Sequence, residues 1–84
     1  MPIPRIKFTR HAREMLAERR LQRTWVELTI TKPDSLEPDP NRPNLLRAFR
    51  RVPERDGLWL RVVYESVDDT VKVITAFFDR GRKP

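Results

Sequence analysis

Four of the chain's eight prolines fall between residues 33 and 44, in Pro33-Asp34-Ser35-Leu36-Glu37-Pro38-Asp39-Pro40-Asn41-Arg42-Pro43-Asn44. No helix and no central strand tolerates that density, because each proline removes a backbone donor and constrains the residue before it. The stretch is also net acidic within a basic chain, and it reads as a loop with room for a short edge strand around Leu36. It divides the sequence into a front with helical periodicity and a back with strand periodicity.

In the front part, Ile6 and Phe8 alternate with Arg5 and Lys7, so Ile3 to Phe8 reads as an edge strand. Thr9 is placed to cap a helix over Arg10 to Arg20. Its apolar stripe is Phe8, Ala12, Met15 and Leu16, and Arg10, Glu14 and Glu18 are spaced for i,i+4 pairing on the polar side. Arg19 projects from the stripe, with a stem that packs and a head that reaches an acid. Thr24-Trp25-Val26-Glu27 has the form of a capping box, which starts a second helix at Thr24 and ends it before Pro33.

Three strand-like runs follow: Leu45 to Val52, Leu58 to Ser66 and Val71 to Phe78. Turns as short as Pro53-Glu54-Arg55-Asp56-Gly57 and Val67-Asp68-Asp69-Thr70 require an antiparallel meander. Strict alternation puts Leu58, Leu60, Val62, Tyr64, Val71, Val73 and Phe77 under the helices, with Ile6 and Phe8 closing the edge. The expected fold is therefore α+β, in the order β-α-α-β-β-β, with two helices packed on one face of a small, mainly antiparallel sheet. An 84-residue chain with 38% hydrophobic residues has enough apolar mass for one core and one domain over 1–84, with 33–44 as its acidic loop and 80–84 as a basic tail.

Several chemistries are excluded by composition. The two glycines, Gly57 and Gly81, cannot form a P-loop or a GxGxxG turn. Without cysteine and with one histidine, the chain has no thiol nucleophile, disulfide framework or Cys/His zinc cluster, so no metal and no cofactor is expected. No apolar run approaches a membrane span and no secretory leader opens the chain, so a cytoplasmic location is expected. The net charge is +6, and fourteen of the eighteen basic residues are arginine. Such a balance favours a polyanion partner, although codon bias in a GC-rich genome produces the same excess.

The same alternation collects Arg5, Lys7, Trp59, Arg61, Lys72, Phe78 and Arg80 on the sheet face away from the helices. Cations with interleaved rings suit single-stranded RNA, whose bases stack on aromatic side chains while its phosphates meet the charges. A solvated sheet face or a protein interface has the same composition. His11 is the one side chain that titrates near neutrality unaided, and it lies in the first turn of the first helix. At such a position it either acts as an acid or base or holds the helix to the sheet. Ser35 and Ser66 lack any nucleophile-elbow context.

His11-Ala12-Arg13-Glu14-Met15-Leu16-Ala17-Glu18-Arg19-Arg20-Leu21, with Trp25-Val26, Ile30 and Pro33 after it, resembles the HA-x-x-R-M-x-E-R-G-I signature of a bacterial family of unknown function. Leu60-Arg61-Val62-Val63 and Val73-Ile74-Thr75-Ala76-Phe77 extend the resemblance to two later strands. Met15 stands where that family commonly has arginine, and Arg20 where a glycine ends the helix. The resemblance implies a relation to BrnT and to the RelE/ParE toxins, which share the strand and helix order. It thereby implies the toxin half of a toxin-antitoxin pair, with RNA as target and an acidic antitoxin as partner. The implied activity is metal-independent endoribonuclease cleavage, with Arg61 and Arg80 on the phosphate and His11, Asp79 or Glu65 as acid or base. A gyrase poison or a protein-interaction module of the same fold is the non-catalytic alternative.

Overall fold

The computed structural model describes residues 4–82. Its order is β1 (Arg5–Phe8), α1 (Arg10–Glu18), α2 (Arg23–Thr31), β2 (Ser35–Pro38), β3 (Leu46–Val52), a 3₁₀ turn (Pro53–Arg55), β4 (Leu58–Val67) and β5 (Thr70–Phe78). The strands form one sheet in the order β1-β5-β4-β3-β2, with β1 parallel to β5 and every other pair antiparallel. Both helices lie on one face. The architecture is the expected α+β sandwich, and the proline-rich stretch supplies the edge strand it had room for around Leu36 as β2, where prolines lose no ladder bond. The expected start of the first strand at Ile3 lies outside the described residues.

Thr9 caps α1 as expected, its hydroxyl accepting the Ala12 N–H at 3.0 Å. Past Glu18 the helix closes with Leu21 N–H donating to Leu16 C=O at 2.9 Å and Arg20 N–H to Ala17 C=O at 3.4 Å. Arg20 therefore occupies the left-handed position of a Schellman turn, at φ +54°. The helix ends two residues before the expected Arg20, in the turn that glycine ordinarily makes. Arg19 is exposed, and its Nε reaches the Met15 sulfur instead of an acid.

The capping box at Thr24 does not form. The cap of α2 lies two residues earlier, at Gln22, whose carbonyl accepts the N–H groups of Trp25 and Val26. Glu27 cannot reach back to a cap because its carboxylate is held by Arg23 Nε at 3.1 Å, an i,i+4 pair that a start at Arg23 makes possible.

Ala12, Val26, Leu60, Val62, Val73 and Ala76 are fully covered at the centre of the core, with Trp25, Tyr64 and Val71 around them. Ile6 and Phe8 pack at its margin, as expected. Leu58, at the start of β4, is half-buried.

A bulge changes the rest of the pattern. Tyr64 pairs with Val73 and Val63 with Thr75, so Ile74 is the extra residue on β5. Its carbonyl accepts the Thr9 hydroxyl at 3.3 Å, which ties the bulge to the start of α1. One inserted residue reverses the facing of everything after it. Phe78, expected on the open face, packs instead under the helices, 6.2 Å from Trp25 between ring centroids. Phe77, expected in the core, lies opposite Arg61 on the open face.

Candidate nucleic-acid interface

On the face away from the helices the register places Arg47, Phe49 and Arg51 of β3 beside Val63, Arg61 and Trp59 of β4. Thr75 and Phe77 of β5 continue the rows beyond Val63 and Arg61. Lys7 pairs with Lys72 at the β1 side, and Arg5 precedes it by two residues, so all three keep the expected face and are exposed.

At the centre, Arg61 is ion-paired to Asp79, with side chains only 23% and 17% exposed. Its guanidinium lies 4.9 Å from the Phe77 ring centre and 5.4 Å from that of Phe49. Burial raises the Asp79 pKa, but the Arg61 hydrogen bond and charge, with backbone hydrogen bonds from Gly81 and Arg82, outweigh it and hold the carboxyl below the usual range. The chain after β5 then turns back across the sheet. Arg82 stacks on Phe49 at 3.7 Å, donates to Ser35 Oγ at 2.8 Å and approaches Glu37 at 3.6 Å. Phe49 has no exposed surface, although it faces away from both helices.

Two depressions flank the Arg61–Asp79 pair. The first, of about 230 Å³, is lined by Arg51, Trp59, Arg80 and Arg82 among others. Arg51 lies 4.9 Å from the Trp59 ring centre and Arg82 5.5 Å from it. Trp59 Nε1 and Arg61 Nε are buried donors with no acceptor among the described residues. The second depression, of about 310 Å³, lies between Arg42, Arg47 and Arg61 over Val63, Ile74 and Phe77. Asp39 organises its rim by accepting the backbone N–H groups of Asn41 and Arg42 at 2.9 Å and Arg47 Nε at 3.1 Å. The Asn41 backbone hydrogen bond is the main reason its carboxyl titrates below the usual range, with Arg42 and Arg47 adding to it against some burial.

Of the expected interface, Arg5, Lys7, Trp59, Arg61, Lys72 and Arg80 share this side of the molecule and Phe78 does not. Of the expected catalytic set, Arg80 borders the first depression and Arg61 the second. His11 is exposed on α1, in the opposite layer, and makes no hydrogen bond or ion pair among the described residues. Glu65 is on the open face but accepts from Asn44 Nδ2 at 2.9 Å. Among the described residues no cluster of acidic and histidine side chains has metal-ligating geometry.

Sequence reasoning missed Arg51, Arg82, Phe49 and Phe77. The first two were legible as charge, but not as groups lying over rings; Phe77 was hidden by the bulge. No described helix is long and apolar enough to cross a membrane. Residues 8–78 match a family model described as a domain of unknown function (DUF4258). No curated protein and no solved structure matches the chain.

Proposed function

The chain belongs to the DUF4258 family, and we propose that it binds single-stranded RNA on its open sheet face as a toxin-like domain of RelE/ParE type. The observation that carries this reading is the depression at Trp59. Three arginines, Arg51, Arg80 and Arg82, border a partly exposed indole, and the buried donors Trp59 Nε1 and Arg61 Nε have no acceptor among the described residues. Arg51 and Arg80 have no acid partner among the described residues, so their charge is available to phosphate. When Arg51 moves from the ring to a phosphate, the face it leaves suits a nucleobase.

Metal-independent RNA cleavage is the catalytic form of the same reading. It asks for a base at the 2′-hydroxyl, an acid at the leaving oxygen and cations on the phosphate. Arg80 suits the last role, and Arg61 does so only by leaving Asp79. His11 is in the other layer, which favours binding without cleavage over the nuclease form. An acidic antitoxin encoded beside the protein remains the partner that the toxin reading calls for.

Titration of a fluorescent oligouridylate at several salt concentrations tests the binding. Affinity should fall steeply with salt, and Arg80→Ala should reduce the logarithmic slope by about 0.7, the single-strand value for one phosphate contact. Arg61→Ala should change it less, because its charge is already paired. Absence of binding at low salt would reject the RNA reading. Cleavage of a longer RNA, if it occurs, should survive EDTA and be unaffected by His11→Gln.

A further inference from the structure

We infer that the outer edge of β1 is a docking site for an extended acidic peptide that alternates carboxylate and apolar side chains. The inference does not depend on the RNA reading, because β1 pairs with the start of β5, at Thr70–Val73, whereas Arg80 follows the other end of β5 and Trp59 lies on β4.

Backbone geometry is the first reason. Arg5 and Thr9 donate their N–H groups inward, to Asp69 at 2.9 Å and Val73 at 3.1 Å. Alternation along the strand then turns the N–H groups of Ile6 and Phe8 outward, where no described strand pairs with β1. The opposite edge is guarded. Pro38 and Glu37 lie within β2, and Pro33 and Pro40 flank it, which are the usual devices against strand addition. β1 follows Pro2 and Pro4 in the sequence and carries Arg5 and Lys7 along it, so its own guard is positive charge, which an acidic strand would neutralise.

The surroundings define the partner. A hollow of about 420 Å³ borders the edge on the helical side, with Ile6, Phe8 and Leu16 as its apolar lining and Lys7, Arg13 and Arg23 as its charges. No carboxylate lines it. A strand added beside β1 would lay alternate side chains over Ile6 and Leu16 and direct the others toward Arg5 and Lys7 on the opposite side. Apolar residues fit the first set and acids the second. A second copy of the chain is disfavoured, since pairing β1 with β1 brings arginine and lysine against arginine and lysine. Nucleic acid is disfavoured because the one ring in the hollow, Phe8, is covered at 4.9 Å by the guanidinium of Arg23, which Glu27 holds at 3.1 Å, whereas Arg51 over Trp59 has no such partner among the described residues.

The test is nuclear magnetic resonance of the full ¹⁵N-labelled chain titrated with a blocked hexapeptide of three Glu-Val repeats and with its Gln-Val counterpart. Saturable shifts centred on the Ile6, Lys7 and Phe8 amides are expected. The Gln-Val peptide should bind about tenfold more weakly, since two or three exposed charge pairs are lost. Lys7→Glu, at an exposed position that leaves the core intact, should weaken the acidic peptide to a similar extent. Absence of shifts on those amides at millimolar peptide would overturn the inference. So would equal binding of the two peptides, shifts centred on Trp59 and Arg80, or displacement of the peptide by an oligouridylate.

Discussion

Leu60 and Phe49 sit in adjacent strands on opposite faces of the sheet, and neither has any exposed surface. Leu60 is covered by the apolar sides of two helices, whereas Phe49 is covered by the guanidinium groups of Arg61 and Arg82. The helical face excludes water chiefly by apolar contact, with Arg55 over Phe78 and Arg23 over Phe8 at its margin. The open face excludes it with charged groups that pair with Asp79 and Glu37 and can exchange those partners for an anion. Burial on the helical face is a commitment to the fold, while burial on the open face is compatible with a ligand entering. A thin, arginine-rich domain thus gains two covered faces from one layer of helices.

The largest expected effect tests the helical half of this contrast. Leu60→Ala should destabilise the fold by about 2–5 kcal/mol, the range for truncating a buried leucine, read as a shift of the denaturation midpoint. A midpoint unchanged by the substitution would mean that the helical face is not the dominant core.

That face was largely legible in the sequence. Leu60, Val62, Tyr64, Val71 and Val73 follow from alternation, and Thr9 from its position before an amphipathic run. The parts that were not legible share one cause, which is competition among local options decided by tertiary contact. The bulge at Ile74 depends on a hydroxyl 65 residues away, so strict alternation exchanged Phe77 and Phe78. The box at Thr24 lost to an equally local ion pair between Arg23 and Glu27. Of the candidate site, Trp59 and Arg61 came from alternation; Arg80 lies beyond the bulge, where alternation fails, and it borders the depression, as Arg82 covers Phe49, only after the chain leaves β5.

A smaller effect probes the open half. Asp79→Asn removes the partner of a mostly buried guanidinium and should cost about 1–3 kcal/mol, less than a fully buried pair because water reaches part of Arg61. Oligouridylate affinity should rise in the same variant, because Arg61 is released toward phosphate. Loss of both stability and affinity would show that Asp79 holds the face together rather than restraining it.

Acid should separate the two faces without mutation. The folded-state pKa values of Asp79 and Asp39 are depressed below 3.8, so their contribution is fully present above that value and is lost as pH falls through the folded pKa values. The core under the helices holds no buried carboxylate among the described residues. Acid titration followed by Trp59 fluorescence in a Trp25→Phe variant should therefore report a change on the open face below about pH 3.8, with far-ultraviolet helicity retained to lower pH. Simultaneous loss of both signals would make the two faces one cooperative unit.

The smallest effect concerns the helical layer where it is weakest, in backbone conformation and not in packing. Arg20 holds φ +54° at the end of α1, a region that costs a side-chain-bearing residue about 1 kcal/mol or more. Glycine adopts it freely but loses more entropy on folding, which offsets part of the gain. Arg20→Gly should therefore raise stability by about 0.5 kcal/mol, seen as a slightly higher midpoint in urea at unchanged slope. Arg20 is exposed and lies in the helical layer, so RNA affinity and its salt slope should stay as they are. A matching fall in RNA affinity would show that the polyanion field extends beyond the open face, and the division of labour between the two faces would no longer hold.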